Sequence, residues 1–196
     1  MRSLRFCFDF ISPYAYLAWT QIHAIARRHD VRVEPQPILF AALLDKHGTR
    51  GPAEIPARRR YLLHDIQRIA RHFGVPLVPP PAHPFNPLRA LRIATIDPST
   101  IDAFFTAVWA TGQGIDGVLP DREVTDAAKA KLRATTEAAI ADGVFGVPTM
   151  LIDDQMFWGC DSLPHLERYL VTGETADAAL IARWEALPAS ASRPRS

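Results

Sequence analysis

Cysteine is nearly absent from the 196-residue sequence, which carries two, Cys7 and Cys160, far apart in the chain. They form no CxxC pair and no zinc-ligand spacing, so neither a dithiol motif nor a structural metal site is written here. A disulfide between them has no local support. Net charge is nearly absent as well: 22 basic and 21 acidic side chains leave +1. That supplies no field for a polyanion and excludes nucleic acid as an expected partner. Long apolar runs are missing too. Arg2 and Arg5 precede an apolar stretch, but Asp9 and Pro13 interrupt it and no small-residue cleavage site follows cleanly. No later run approaches a bilayer span, so no membrane partner is expected. The chain reads as cytoplasmic, where thiols stay reduced. What is present is ordinary globular composition, 48% apolar and 22% charged. The length suffices for one core, or for a core plus a packed insertion.

Apolar residues alternate from Leu4 to Phe10, with Leu4, Phe6, Phe8 and Phe10 on one side and Arg5, Cys7 and Asp9 on the other. That is a strand pattern. It stops at Ile11-Ser12-Pro13, where Tyr14, Leu17, Ala18, Ile22 and Ile25 take up helical spacing. Pro13 suits a first helical turn, whose N–H groups have no partner inside the helix. Val31 to Pro37 alternates again, and strand, helix, strand closes as a right-handed parallel βαβ unit. The middle of the chain is helical. Leu62, Ile66, Ile69, Ala70 and Phe73 share one face, as do Ile101, Phe104, Phe105, Val108 and Trp109, and a third helix is predicted from about Thr125 to Ala141. Between the first two lies Val75 to Pro87, with prolines at 76, 79, 80, 81, 84 and 87, a stiff extended loop. Val147 to Ile152 reads as a strand, Asp153-Asp154 as a hairpin turn, and Gln155 to Trp158 as an antiparallel strand. Asp161 or Ser162 caps a last helix carrying Leu163, Leu166 and Leu170. The tail 188–196, rich in Ala, Ser, Arg and Pro, is expected to be disordered.

The order βαβ, helical block, ββα is that of an α/β thioredoxin-like fold with a helical insertion, as in DsbA-like proteins. Residues 1–40 and 144–173 would form the thioredoxin-like domain and 41–143 the inserted helical domain. Two positions then gain interest. Ser12 lies at the start of the first helix, where free N–H groups and the helix dipole stabilise an anion. It reads equally as a plain N-cap; the fold order is what favours a site, since this junction holds the reactive sulfur in thioredoxin-like proteins. Pro148, in Gly146-Val147-Pro148-Thr149, is a candidate for a cis bond that exposes the Val147 backbone to an extended peptide. It also reads as the start of a strand.

Three segments together resemble a known family: Phe8-Asp9-Phe10-Ile11-Ser12-Pro13-Tyr14-Ala15-Tyr16-Leu17-Ala18, Val144-Phe145-Gly146-Val147-Pro148-Thr149, and Met156-Phe157-Trp158-Gly159-Cys160-Asp161. They are similar to the 2-hydroxychromene-2-carboxylate isomerases, relatives of the kappa-class glutathione transferases, and the resemblance runs to about Tyr169. It implies glutathione as cofactor, a small aromatic substrate and a homodimer. It implies that Ser12 donates to the tripeptide sulfur, with Pro13 and Tyr14 beside it, that Val147 and Pro148 pair with the cysteinyl backbone, and that Cys160 and Asp161 hold the γ-glutamyl end. Arg58 matches a position that holds the glycine carboxylate, although Arg59 and Arg60 adjoin it and all three also read as a solvated face. Thr49 stands where the family often has Asn, Cys160 where a small polar residue is usual, and Ser162 where Arg is common. Cys160 reads as a packing residue or as a site for a mixed disulfide. Asn86 is a candidate substrate partner or an ordinary residue before proline. His83 reads as solvent-facing, Trp109 as helix-packing core and Trp158 as strand packing. Asp9, on the strand face opposite the phenylalanines, reads as a partly buried carboxylate near the site with its role open.

The implied chemistry is energetically reasonable. A thiol of pKa ~8.5 needs a shift of roughly two units, about 2.7 kcal/mol, to be mostly thiolate at neutral pH. A charge-assisted hydrogen bond from Ser12 supplies about 1.5–3 kcal/mol and a helix N-terminus about 0.3–1 kcal/mol. The implied activity is a glutathione-dependent cis–trans isomerisation. A kappa-like transferase or peroxidase that consumes glutathione, and a non-catalytic thiol-binding protein, are the alternatives.

Overall fold

In the computed structural model, which describes residues 1–121 and 123–188, a four-stranded sheet carries the chain's two buried layers. Strand β1 (Arg2–Phe8) pairs in parallel with β2 (Val31–Pro37), and helix α1 (Pro13–Arg28) makes the crossover. Strands β3 (Thr149–Ile152) and β4 (Gln155–Trp158) complete the spatial order β2-β1-β3-β4, with β3 antiparallel to both neighbours. The sequence order and this sheet are those of a DsbA-like thioredoxin fold, as expected.

Strand β1 ends two residues earlier than the alternation suggested. Asp9 stops it by accepting the Ile11 N–H on its own side chain at 3.0 Å, so Phe10 lies in a turn. Strand β3 likewise begins at Thr149, because Val147 and Pro148 form a loop held against α1. Both sheet faces are buried. Leu4, Phe6 and Phe8 point into the main core, whereas Cys7 and Leu151 pack with Ile38, Leu43, Val144 and Val147 on the opposite face. Cys7 and Cys160 are free thiols.

Between β2 and β3 run α2 (Phe40–His47), α3 (Pro56–Phe73), α4 (Leu88–Ile96), α5 (Ile101–Phe105), a wide π turn over Thr106–Ala110, and α6 (Asp126–Ala141). Helix α3 buries Leu62, Ile66 and Ala70, on the face the spacing marked, and Thr125 caps α6 by accepting the Ala128 N–H. Helices α2 and α4 escaped sequence reading. Helix α4 starts directly after the proline-rich loop, without a side chain of its N-cap residue closing the first turn. Its buried Leu91 and Ile93 are supplied by packing on α6 and β2.

The insertion shares the main core with the sheet. Phe105 lies 5.3 Å from Phe8, 4.9 Å from Phe10 and 5.9 Å from Trp19, ring centre to ring centre. Beyond β4, a 3-10 turn (Cys160–Ser162) leads into α7 (Leu163–Thr172), and α8 (Ala178–Glu185) lies exposed on the surface. No side chain caps α7 through a hydrogen bond; Ser162 Oγ donates back to the Gly159 carbonyl at 2.8 Å, which corrects the expected cap. The expected disordered tail falls, from residue 189 on, outside the described residues. Among the described residues no helix is long and apolar enough to cross a membrane.

Candidate active site

Ser12 is the N-cap of α1 and is only 7% exposed. Its Oγ accepts the Ala15 N–H at 3.2 Å and donates to the Val147 carbonyl at 3.3 Å. It is thus both the ordinary cap and the contact between the first helix and the loop before β3. Pro13 is buried at the first helical position, and the Val147-Pro148 bond is cis. Thr149 Oγ1 fastens this loop by donating to the Gly146 carbonyl at 2.7 Å.

Asp9 braces the junction from below. Its two carboxyl oxygens accept the N–H groups of Ile11 and Phe40, both at 3.0 Å, and Ser12 N–H donates to its backbone carbonyl at 3.1 Å. Among the described residues no cation pairs with this buried carboxylate, and burial pushes it up to about 7 although the two N–H donors pull it back.

The backbone just before Ser12 is held from the inserted block. Trp109 Nε1 donates to the Phe10 carbonyl at 2.8 Å, and a ring nitrogen of His83 lies 3.0 Å from the Ile11 carbonyl. The two rings meet edge to face, 5.4 Å apart. His83 is therefore not a solvent-facing loop residue. It is partly buried, which lowers its pKa, and Arg59 donates to its carbonyl at 2.9 Å. Sequence reasoning missed this contact because the loop is drawn inwards by Trp109, which also accepts the Val78 N–H on its carbonyl. Trp109 is core, as expected.

The remaining candidates are spread around this junction. Tyr14, half-buried, donates its hydroxyl to Asp65 on α3 at 2.9 Å, and burial with that carboxylate raises its pKa. Cys160 is buried, and its thiol is pushed up to about 12 by burial first and by Asp161 and Asp65 after it. That environment keeps it protonated. Asp161 is exposed at the mouth of a cavity of about 650 Å³ between α1, α3 and the turn into α7. Arg58 is exposed in the first turn of α3, while its neighbour Arg59 is committed to the loop. Thr49 is exposed after α2, whose end its backbone N–H closes on the Leu44 carbonyl at 3.0 Å. Asn86 Oδ1 accepts the Leu88 N–H at 3.0 Å and starts α4, and the residue also lines a separate cavity of about 420 Å³ with Phe85 and Gln113. Among the described residues, Ser12 and Val147 are in direct contact; Thr49, Arg58 and Asn86 make no hydrogen bond to either. Trp158 differs from its expected packing role. It is 52% exposed, tilted against Phe145 with ring centres 4.9 Å apart, and laid over Gly146.

Residues 3–171 match the DSBA-like thioredoxin domain family. A 2-hydroxychromene-2-carboxylate isomerase of Sphingobium xenophagum is 30% identical over 87% of this chain and 98% of its own. The chain belongs to this isomerase family. The solved structure of a 2-hydroxychromene-2-carboxylate isomerase superposes with a TM-score of 0.78 at 27% identity, covering 94% of this chain and 98% of that one. A kappa-class glutathione S-transferase of Rattus norvegicus is 24% identical over 83% of this chain and 88% of its own. Membership of the isomerase family thus carries a second relationship, to the kappa-class transferases, along most of the chain.

Proposed function

We propose that this chain is a glutathione-dependent isomerase of the 2-hydroxychromene-2-carboxylate type, acting on a small aromatic substrate. The observation that carries the reading is the buried Ser12 hydroxyl at the N-terminus of α1, in contact with the Val147 carbonyl. In this reading a cysteinyl peptide lying along Val147 takes over the carbonyl that the Ser12 hydroxyl holds, and the released hydroxyl turns to donate its one hydrogen to the sulfur at the positive end of a 16-residue helix. Bound glutathione would supply a nucleophilic thiolate that is regenerated at the end of each turnover. The chain's own residues hold the sulfur, through Ser12, and align the backbone, through Val147. Pro13, Tyr14 and Pro148 shape the walls, and Asp161 receives the γ-glutamyl ammonium. Arg58 is assigned to the glycine carboxylate, Thr49 to a polar contact with the tripeptide and Asn86 to the substrate. The chain itself acts as a homodimer in the cytoplasm in this reading.

Neither buried cysteine competes for the nucleophilic role, since both Cys7 and Cys160 are pushed up to about 12. The kappa-class relationship supports a second reading, a transferase that consumes glutathione. One assay separates the two. With 2-hydroxychromene-2-carboxylate and substoichiometric glutathione, isomerisation without loss of free thiol is expected, while thiol consumption matching product establishes the transferase. Calorimetry that finds no glutathione binding overturns both. In Ser12→Ala, loss of a charge-assisted bond should raise the bound thiol's pKa by roughly one to two units. An unchanged pH–rate profile removes Ser12 from the chemistry.

A further inference from the structure

Ser12 follows a tight turn that belongs to neither β1 nor α1, so the place of its hydroxyl depends on what holds that turn. Both peptide units before it are held at both ends. In the Phe10–Ile11 unit the carbonyl accepts Trp109 Nε1–H at 2.8 Å, and the N–H donates to Asp9 Oδ1 at 3.0 Å. In the Ile11–Ser12 unit the carbonyl lies 3.0 Å from His83 Nε2, and the N–H donates to the Asp9 carbonyl at 3.1 Å. Asp9, at the end of β1, thus takes the two N–H groups, while the two carbonyls are held from the inserted block.

A carbonyl oxygen only accepts, so His83 must carry a proton on Nε2. Protonation at Nδ1, which makes no hydrogen bond among the described residues, leaves that donor in place. Burial lowers the ring's pKa, the Ile11 carbonyl works against it, and the Arg59 charge adds to it. The ring is itself fixed. Its edge-to-face contact with Trp109 and the Arg59 donation to its backbone carbonyl hold it from two sides. Trp109 fills the core as well as holding a carbonyl, whereas His83 is only partly buried. What His83 supplies is the orientation of one peptide plane, the one that bears the Ser12 nitrogen.

We propose that His83 is a positioning residue, whose Nε2–H orients the Ile11–Ser12 peptide and so aims the Ser12 hydroxyl at a bound thiolate. The assignment rests on the reading that Ser12 holds the sulfur of glutathione. A hydrogen bond weakens steeply once its donor is tilted, and a site group must be held closely to stay productive. Without His83 the sulfur should lose stabilisation as a thiolate, while the contacts along the rest of the tripeptide remain.

Ultraviolet titration of the thiolate, with glutathione bound to the full chain, reads this directly. His83→Leu should raise the bound thiol's pKa by about 0.5–1 unit, a loss of roughly three- to tenfold in thiolate stabilisation. Calorimetry at pH 5, where the thiol is protonated, should find glutathione affinity unchanged. His83→Gln, whose amide can offer an N–H close to the position of Nε2, should recover most of the shift. An unchanged thiol pKa in folded His83→Leu overturns the assignment. So does His83→Gln behaving as His83→Leu does, which makes the ring a packing element. Nitrogen magnetic resonance of the ligand-free wild type tests the geometry without any variant needing to be active. The His83 ring, assigned by its disappearance in His83→Gln, should carry its neutral-form proton on Nε2, and a proton on Nδ1 overturns the proposal. Wild-type protein that fails to bind glutathione overturns this proposal together with the functional reading beneath it. Glutathione binding with a thiol pKa indifferent to His83 overturns the His83 assignment alone.

Discussion

Asp9 is the single residue whose environment most departs from that of an exposed carboxylate. It is 1% exposed, has no cation paired with it among the described residues, and accepts two backbone N–H groups that join the end of β1 to the start of α2. Because its folded pKa, about 7, lies above the ordinary aspartate value of about 3.9, the folded state binds the proton more tightly than the unfolded chain. The protonated group's contribution is therefore fully present below the unfolded pKa and is lost as pH rises towards about 7. Asp9→Asn removes this titration. Relative to wild type, the variant should be less stable at pH 5, where it loses one of two accepted N–H bonds. It should gain ground at about 1.4 kcal/mol per pH unit up to neutrality. Urea midpoints at pH 5 and pH 8 check this, and a difference independent of pH contradicts it.

At the scale of elements, the link between β4 and α7 depends on Gly159. Its φ of 86° is one that side chains rarely adopt, and a Cβ there would collide with Asp161 Oδ1. Gly159→Ala should cost about 1–3 kcal/mol through backbone strain and displace the Asp161 carboxylate. Thermal melting should show the loss of stability and calorimetry a weaker glutathione affinity. Destabilisation with unchanged affinity would show that Asp161 does not touch the ligand. The 3-10 turn and the loop before β3 thus form one backbone unit, joined by the Gly159-to-Pro148 hydrogen bond.

For the whole molecule, the decisive feature is the aromatic cluster that fuses the sheet to the inserted helices. Phe8, Phe10, Trp19 and Phe105 surround one point, and Phe104 meets Phe10 edge to face at 5.5 Å. Phe105→Ala should therefore cost about 3–5 kcal/mol and leave one cooperative transition, because both layers lose the same packing. Two resolved transitions in denaturant would show instead that the insertion folds apart from the sheet. The same cluster sets the site, since it fixes the turn at Phe10 whose carbonyl Trp109 holds.

The sequence by itself determined the local elements whose signals are local. Strand β2 coincides with its alternating pattern over Val31–Pro37, and the Ser12-Pro13 junction starts α1 as the cap chemistry requires. The three motif segments also carried the family. Signals that arise only on packing were not legible. Helix α4 has a weak start beside a proline-rich loop, α2 begins without a side-chain cap, and His83 turns inwards only because Trp109 is there to meet it. Contacts across long sequence separations were decided by tertiary structure alone. Ser12 meets Val147 because β3 lies antiparallel beside β1, and Arg68 shares a cavity with Asp161 because α3 packs along α1. Ser12 can be picked out as a helix cap from residues next to it; its contact with the Val147 carbonyl exists only once distant segments are folded together.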